Sequence, residues 1–226
     1  MEIKTTIGKF IDTLLADKKV HSLILSAPPG LGKTTTVLEH LQSLGFSEGV
    51  HFIYKAGYVT PLKFFGILSA TRILENPRCL VLDDVDNLLA NKTSLALLKA
   101  SLSEAMKKRV VTYESRGISI KEFDFRGKVI IITNHLATNK ALLPLTDRAL
   151  VYDFESNPVE LAEYINDNLA EFGEGLTEEQ RQSVWSKVQR FVDSPNFSLR
   201  TVYRAFAFFR QDTENWYDLF VKSLKY

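Results

Sequence analysis

Two short stretches of this 226-residue chain hold residue types whose spacing could do chemistry. The first is Ala27-Pro28-Pro29-Gly30-Leu31-Gly32-Lys33-Thr34. Its glycines let backbone N–H groups turn toward phosphate oxygens, its lysine can reach β- and γ-phosphates, and its threonine can ligate Mg²⁺. The stretch fits a phosphate-binding loop, with alanine at the first glycine position. Such an octapeptide also arises by composition as an ordinary surface turn, so its surroundings decide between the two. The second stretch, Leu80-Val81-Leu82-Asp83-Asp84, ends an apolar run in two carboxylates. Asp83 suits a Mg²⁺ ion, directly or through water, and Asp84 suits orienting or deprotonating an attacking water. Helix capping before Leu88 by Asp84 or Asp86 is the competing account.

Regular elements must position these groups. The apolar run Leu23-Ile24-Leu25 predicts a strand leading into the first stretch, and Val37, Leu38 and Leu41 predict a helix leaving it. Strand, loop and helix in that order are the context in which a phosphate loop works. A second strand is predicted at 51–55, followed by a helix from Thr60-Pro61, an N-cap with proline at the first helical position, to about Leu74. Further strands are predicted at 79–82, at 129–132 before Thr133-Asn134, and at 150–154, with a mostly helical stretch over 88–106. Apolar strands alternating with helices predict an α/β fold, a parallel sheet sandwiched by helices. Residues 110–113 and 118–125 alternate around Glu114-Ser115-Arg116-Gly117 and predict a β-hairpin at about 109–126. After Pro158 the pattern is helical only, through Leu161, Ile165, Leu169, Val184, Val188, Leu199, Phe206, Trp216 and Phe220. Two domains are expected: a nucleotide-binding α/β domain at 1–154 and an all-helical C-terminal lid at 155–226, with the ligand in the cleft between them.

Composition narrows the classes. A hydrophobic share of 45% and a charged share of 24% exclude a disordered, collagenous or coiled-coil chain. No segment approaches 18 consecutive apolar residues and the first ten residues carry no apolar signal core, so a cytoplasmic protein without membrane attachment is expected. Cys79, the single cysteine, agrees with a reducing compartment and reads as a core residue. His21, His40, His51 and His135 lack metal-ligand spacing. Residues 1–153 carry 20 basic against 15 acidic side chains and residues 154–226 carry 8 against 12, so a polyanionic partner should meet the first part.

Pro-Pro-Gly-x-Gly-Lys-Thr, the Asp83-Asp84 strand end, Asn134 after the fourth strand, Leu145-Thr146-Asp147-Arg148 before the fifth and Ser198-Leu199-Arg200 opening a late helix together resemble the AAA+ ATPase module, over nearly the whole chain. The resemblance implies an ATPase using ATP and Mg²⁺. Pro29, Gly30, Leu31, Gly32, Lys33, Thr34 and Thr35 would hold the nucleotide, and Thr34 and Asp83 the metal. Asn134 resembles the sensor-1 residue that holds the attacking water, Arg148 the arginine finger presented to a neighbouring subunit's ATP, and Arg200 the sensor-2 arginine of the lid. Taken without the resemblance, Asn134 could cap a turn, Arg148 could be an ion-paired surface residue, and the Arg200 stem could cover apolar surface at Leu199 and Tyr203. Within the grouping the chain looks closest to small DNA-replication accessory ATPases, helicase loaders and phage-encoded relatives. Many members carry Glu where this chain has Asp84. The shorter carboxylate predicts slow hydrolysis without a partner, because misplacement by about 1 Å costs ~10²-fold in rate.

Two loops are candidates for a partner. Tyr58, in Gly57-Tyr58-Val59, stands where AAA+ rings often present a pore loop and could stack on a base or grip a peptide. In the alternative, Val59 staples to Phe64 with Tyr58 packed beside it. The hairpin region 107–128 carries seven basic against three acidic residues, with Lys108, Arg109 and Arg116 as candidate phosphate contacts. A solvated charged face is the alternative. The expectation is a homo-oligomeric, hexamer-like ring or open spiral that acts on DNA or on a replication protein such as a helicase, in a bacterial or virus-infected cell. A protein-remodelling ATPase and a slow ATP-dependent assembly switch are the other readings.

Overall fold

The computed structural model describes residues 2–76, 78–103, 108–114, 120–134, 136, 143–155 and 157–224. The chain divides into two compact units, the larger formed by Glu2–Ala27 with Lys33–Phe154 and the smaller by Pro28–Gly32 with Glu155–Tyr226.

The larger unit is built on five parallel strands: β1 (Ser22–Ser26), β2 (Phe52–Ala56), β3 (Cys79–Asp83), β6 (Lys128–Thr133) and β7 (Leu150–Asp153), in the order β2-β3-β6-β1-β7. All five residues of β1 and of β3 are buried. Because successive side chains point to opposite faces, both faces of these strands are covered, which is why their sequences are continuous apolar runs. The edge strands β2 and β7 are only partly buried. Helices α1 (Glu2–Ala16) and α2 (Lys33–Ser43) pack together, as do α3 (Pro61–Ala70) and α5 (Lys92–Leu102). Helix α1 falls where the sequence predicts no element. Ile3, Ile7, Ile11 and Leu14 are buried along it at helical spacing, and the charged residues between them face outward.

Capping residues set several bounds. Thr60 accepts a hydrogen bond from the Lys63 N–H at 3.3 Å and starts α3 with Pro61. That helix ends at Ala70 and tightens into a 3₁₀ turn, Thr71–Ile73, short of the expected Leu74. The stretch expected to be helical from Leu88 is two helices, α4 (Asp86–Ala90) and α5. Asn91 interrupts it with extended backbone and accepts from the N–H groups of Thr93 and Ser94. Strands β4 (Val110–Thr112) and β5 (Glu122–Asp124) pair antiparallel, with Val111 opposite Phe123. Both of these residues join the core that holds Phe65 and Leu98. A short helix, α6 (Leu143–Thr146), precedes β7.

The smaller unit adds α7 (Pro158–Asp167), α8 (Leu169–Phe172), α9 (Glu178–Val188), α10 (Leu199–Gln211) and α11 (Trp216–Ser223). Thr177 and Gln180 form a capping box at the start of α9. Leu199, Val202, Phe206 and Phe209 are buried on one side of α10, and Phe209 meets Trp216 edge to face. Phe206 and Phe209 are therefore core, and Phe208 between them is half-buried. Among the described residues no helix is long and apolar enough to cross a membrane.

Candidate nucleotide site

In a parallel sheet the C-terminal strand ends gather on one edge, and there the larger unit brings together five of the predicted residues. β1 runs into Ala27, whose N–H donates to the Thr133 carbonyl at the end of β6 (3.4 Å). Ala27 is absent from the residues with positive φ, so glycine's freedom is not needed at that position. Lys33 opens α2 and is buried, 6% exposed, with Nζ donating to the Ala27 carbonyl (2.7 Å) and to Asn134 Oδ1 (3.0 Å). The Asn134 amide in turn donates through Nδ2 to Asp84 Oδ1 at 3.0 Å. Beside this chain, Thr34 Oγ1 donates to Asp83 Oδ2 at 2.7 Å. β1, β6 and β3 are adjacent in the sheet, so the loop lysine, the Asp83-Asp84 pair and the polar residue after β6 converge through strand order.

The two carboxylates differ. Asp83 is 7% exposed and ends β3, whereas Asp84 is exposed at φ 48°, a left-handed conformation costing about 1–3 kcal/mol for a residue other than glycine. The backbone turn separates the two side chains, sending Asp83 to Thr34 and Asp84 to Asn134. Neither acid caps a helix: α4 has Val85 at its N-cap without a side-chain bond, and Asp86 lies inside the first turn. The capping accounts of Asp84 and Asp86 therefore fall.

One further residue belongs to the cluster without any motif to announce it. Tyr54, on β2, donates its hydroxyl proton to Asp83 Oδ2 at 2.9 Å. Burial, and then the bond to Asp83, push its phenol up to about 12, so it stays protonated and remains a donor at neutral pH. Only the β2–β3 register, with Tyr54 opposite Val81 and Ala56 opposite Asp83, brings it within reach.

The loop residues Pro28–Gly32 group with the smaller unit. Gly30 (φ 81°) and Gly32 (φ 75°) adopt left-handed backbone. The Gly30 carbonyl accepts the Leu199 N–H at the start of α10 (3.1 Å), and a Cβ at Gly30 would lie 2.6 Å from Ser198 Oγ. Glycine is required there twice, for its φ and for this approach. The Arg200 Cγ lies 3.7 Å from the same Cβ position, so the arginine stem rests beside the loop. Pro29 flanks Gly30, Leu31 is buried, and Thr35 is exposed in the first turn of α2.

Arg148 stands elsewhere. It lies in the turn before β7, its Nη1 donates to Ser103 Oγ (2.7 Å), and its carbonyl accepts from Ser22 Oγ at the start of β1 (3.0 Å). That carbonyl lies at the N-terminal end of β1, about a strand length (~15 Å at about 3.3 Å per residue) from the strand's C-terminal end.

The partner-contact candidates separate sharply. Tyr58 is 80% exposed, so the packed alternative fails for it, while Val59 and Phe64 are both buried in one core cluster. Lys108 is exposed. Arg109 is corrected: it is 7% exposed, its guanidinium donates to the carbonyls of Ser101 (3.1 Å) and Gly127 (2.8 Å), and it lies over the Phe125 ring. It is a buried clamp and unavailable to phosphate. Arg116 lies outside the described residues.

The donor set fits Mg²⁺ shared with a nucleotide. Thr34 and Asp83 offer hard oxygens side by side, and Mg²⁺ takes one or two protein oxygens together with phosphates and water. Among the described residues no cluster of three His, Cys, Asp or Glu could hold a metal by itself.

No protein-family profile and no curated protein matches the sequence. Solved structures do match. An arginine-to-alanine variant of Thermotoga maritima RuvB is 18% identical over 99% of this chain and 68% of its own, with a TM-score of 0.54. Thermotoga maritima RuvB described as a Holliday junction branch migration motor is 19% identical over the same shares, also at 0.54. The fold is thus similar to that of RuvB: a parallel sheet flanked by helices, followed by a helical C-terminal part.

Proposed function

We propose that the chain is an AAA+ ATPase that binds ATP with Mg²⁺, hydrolyses it within a homo-oligomeric ring or open spiral, and acts on DNA as a loader or remodeller of a replicative helicase or clamp. The observation that carries this reading is the bonded set Lys33, Thr34, Asp83, Asp84 and Asn134 at the ends of three adjacent parallel strands. Lys33 binds the β- and γ-phosphate oxygens, and backbone N–H groups of the loop bind the remainder. Thr34 and Asp83 would hold the Mg²⁺, which would supply positive charge to offset that of the phosphates. Asp84 orients the attacking water or takes its proton, and Asn134 holds that water from the β6 side. Arg200, with its stem beside Gly30, serves as the lid's sensor for the nucleotide.

Assembly follows from Arg148. A guanidinium held by Ser103, on a residue whose carbonyl meets Ser22 at the start of β1, suits service to the ATP of another copy, and turnover would then require contact between subunits. DNA as the target is supported by the description of one structural neighbour as a branch migration motor and by the basic excess of residues 1–153. Tyr58 and Lys108 are the exposed contacts offered to it.

The test is ATP turnover per subunit across a protein-concentration series, with and without single-stranded DNA, using Lys33→Ala as the blank. Turnover should rise with both concentration and DNA. Arg148→Ala should bind ATP at wild-type affinity yet lose ~10³-fold or more in turnover, the scale set by arginine fingers; an active variant, or a rate per subunit independent of concentration, sinks the trans assignment. One observation favours a second reading. Asp84, already one methylene shorter than Glu, is bonded to Asn134, which suits a slow ATP-dependent assembly switch. A near-zero rate despite ATP binding would select that reading, and stimulation by peptide in place of DNA would select a protein remodeller.

A further inference from the structure

We infer that Tyr54 is a positioning residue for the metal-binding half of the site, its hydroxyl fixing which oxygen of Asp83 is left for the Mg²⁺ ion or its water. The inference rests on the nucleotide reading above and deepens it. Asp83 is buried at the end of β3, and two hydroxyls, from Thr34 (2.7 Å) and Tyr54 (2.9 Å), converge on its Oδ2. No other described residue donates to the carboxylate, which leaves Oδ1 as the oxygen available to a metal or its water shell.

The two donors are not equivalent. Thr34 is itself a metal ligand in this reading, so its bond to Asp83 must accommodate the ion. Tyr54 has no such second duty. It reaches Asp83 from the neighbouring edge strand. The carboxylate torsion is intrinsically broad and roughly two-fold, so a single hydroxyl does not define which oxygen faces inward, whereas a second donor from a different direction does. Partners of this outer kind govern metal affinity through the ligands they orient.

The test uses the full chain and a fluorescent ATP analogue, with binding measured in EDTA and then titrated with Mg²⁺. Tyr54→Phe keeps the ring and removes only the hydroxyl, and a thermal melt alongside verifies folding. The Mg²⁺ midpoint should rise roughly 10-fold, while affinity in EDTA stays at the wild-type level. Because Tyr54 acts through Asp83, Tyr54→Phe should add nothing in an Asp83→Asn background. An unchanged Mg²⁺ midpoint in Tyr54→Phe, or an equal shift in the Asp83→Asn background, overturns the inference and leaves the nucleotide reading standing. Wild-type protein that binds no nucleotide at all overturns both.

Discussion

The phosphate-loop cluster and the hairpin region 107–128 both look like binding chemistry in the sequence, and within the larger unit they use their charged side chains in opposite ways. At the cluster, Lys33, Thr34, Asp83, Asp84 and Asn134 bond mostly to one another, and the set is assembled from three strand ends. Around the hairpin the cations bond to backbone and to local partners. Arg109 clamps the Ser101 and Gly127 carbonyls, Lys128 Nζ holds the carbonyls of Asp17 (2.5 Å) and Val20 (2.6 Å), and Arg126 pairs with Asp124 (2.9 Å). A run of seven positive charges thus shrinks to fewer that a partner can reach. Density of charge along a chain is a guide to function only after the backbone carbonyls have taken their share.

The largest effect that sharpens this contrast is Lys33→Ala. The ammonium supplies charged hydrogen bonds to phosphate worth roughly 1.5–3 kcal/mol each, so two such contacts amount to roughly 10²- to 10⁴-fold in ATP affinity. Equilibrium binding of a fluorescent ATP analogue measures it. Retained affinity would mean that the cluster is only a structural knot, and the contrast with the hairpin would vanish.

Next comes Arg109→Ala, in which the loss should appear as stability. Removing the guanidinium leaves the Ser101 and Gly127 carbonyls without this donor and the Phe125 ring without its cation, a cost of about 2–4 kcal/mol. Urea unfolding should show a lower midpoint at an unchanged slope, while ATP affinity holds. Arg109→Lys should recover only part of the loss, since an ammonium lacks the planar guanidinium that lies over the Phe125 ring. Full stability in the alanine variant would restore Arg109 to the surface and to the list of DNA contacts.

These two residues also show what was legible in the sequence. Lys33 was, because a phosphate loop is local: glycines, lysine and hydroxyl within eight residues, flanked by an apolar run and a periodic one. The strands were legible for the same reason, since burial on both faces leaves an unbroken apolar run, and Thr60-Pro61 announced α3 by its own chemistry. Arg109 was not, because its acceptors are main-chain carbonyls at Ser101 and Gly127, which any residue could supply. Tyr54 was equally hidden, since its meeting with Asp83 depends on the register between two strands that lie 27 residues apart at their starts, Phe52 and Cys79. Helix α1 carried a readable period in Ile3, Ile7, Ile11 and Leu14, but the charges between them imitated strand alternation. The convergence of Asn134 with Lys33 came from strand order, which the sequence implied only through resemblance.

The smallest expected effect is also the one that bears most directly on the hairpin. Lys108 is exposed beside the buried Arg109, so adjacent positions offer the two fates of a basic side chain in one comparison. If Lys108 touches a phosphate, Lys108→Ala should reduce the slope of log affinity against log salt for single-stranded DNA by about 0.7, the share of one contact. Its effect at a single salt concentration should be under about 1 kcal/mol, and its urea midpoint should match that of the wild type. Arg109→Ala should do the reverse, losing stability while keeping the salt slope. An unchanged slope in Lys108→Ala would remove the described part of the hairpin from the DNA surface, and Tyr58, on the loop after β2, would become the contact to pursue.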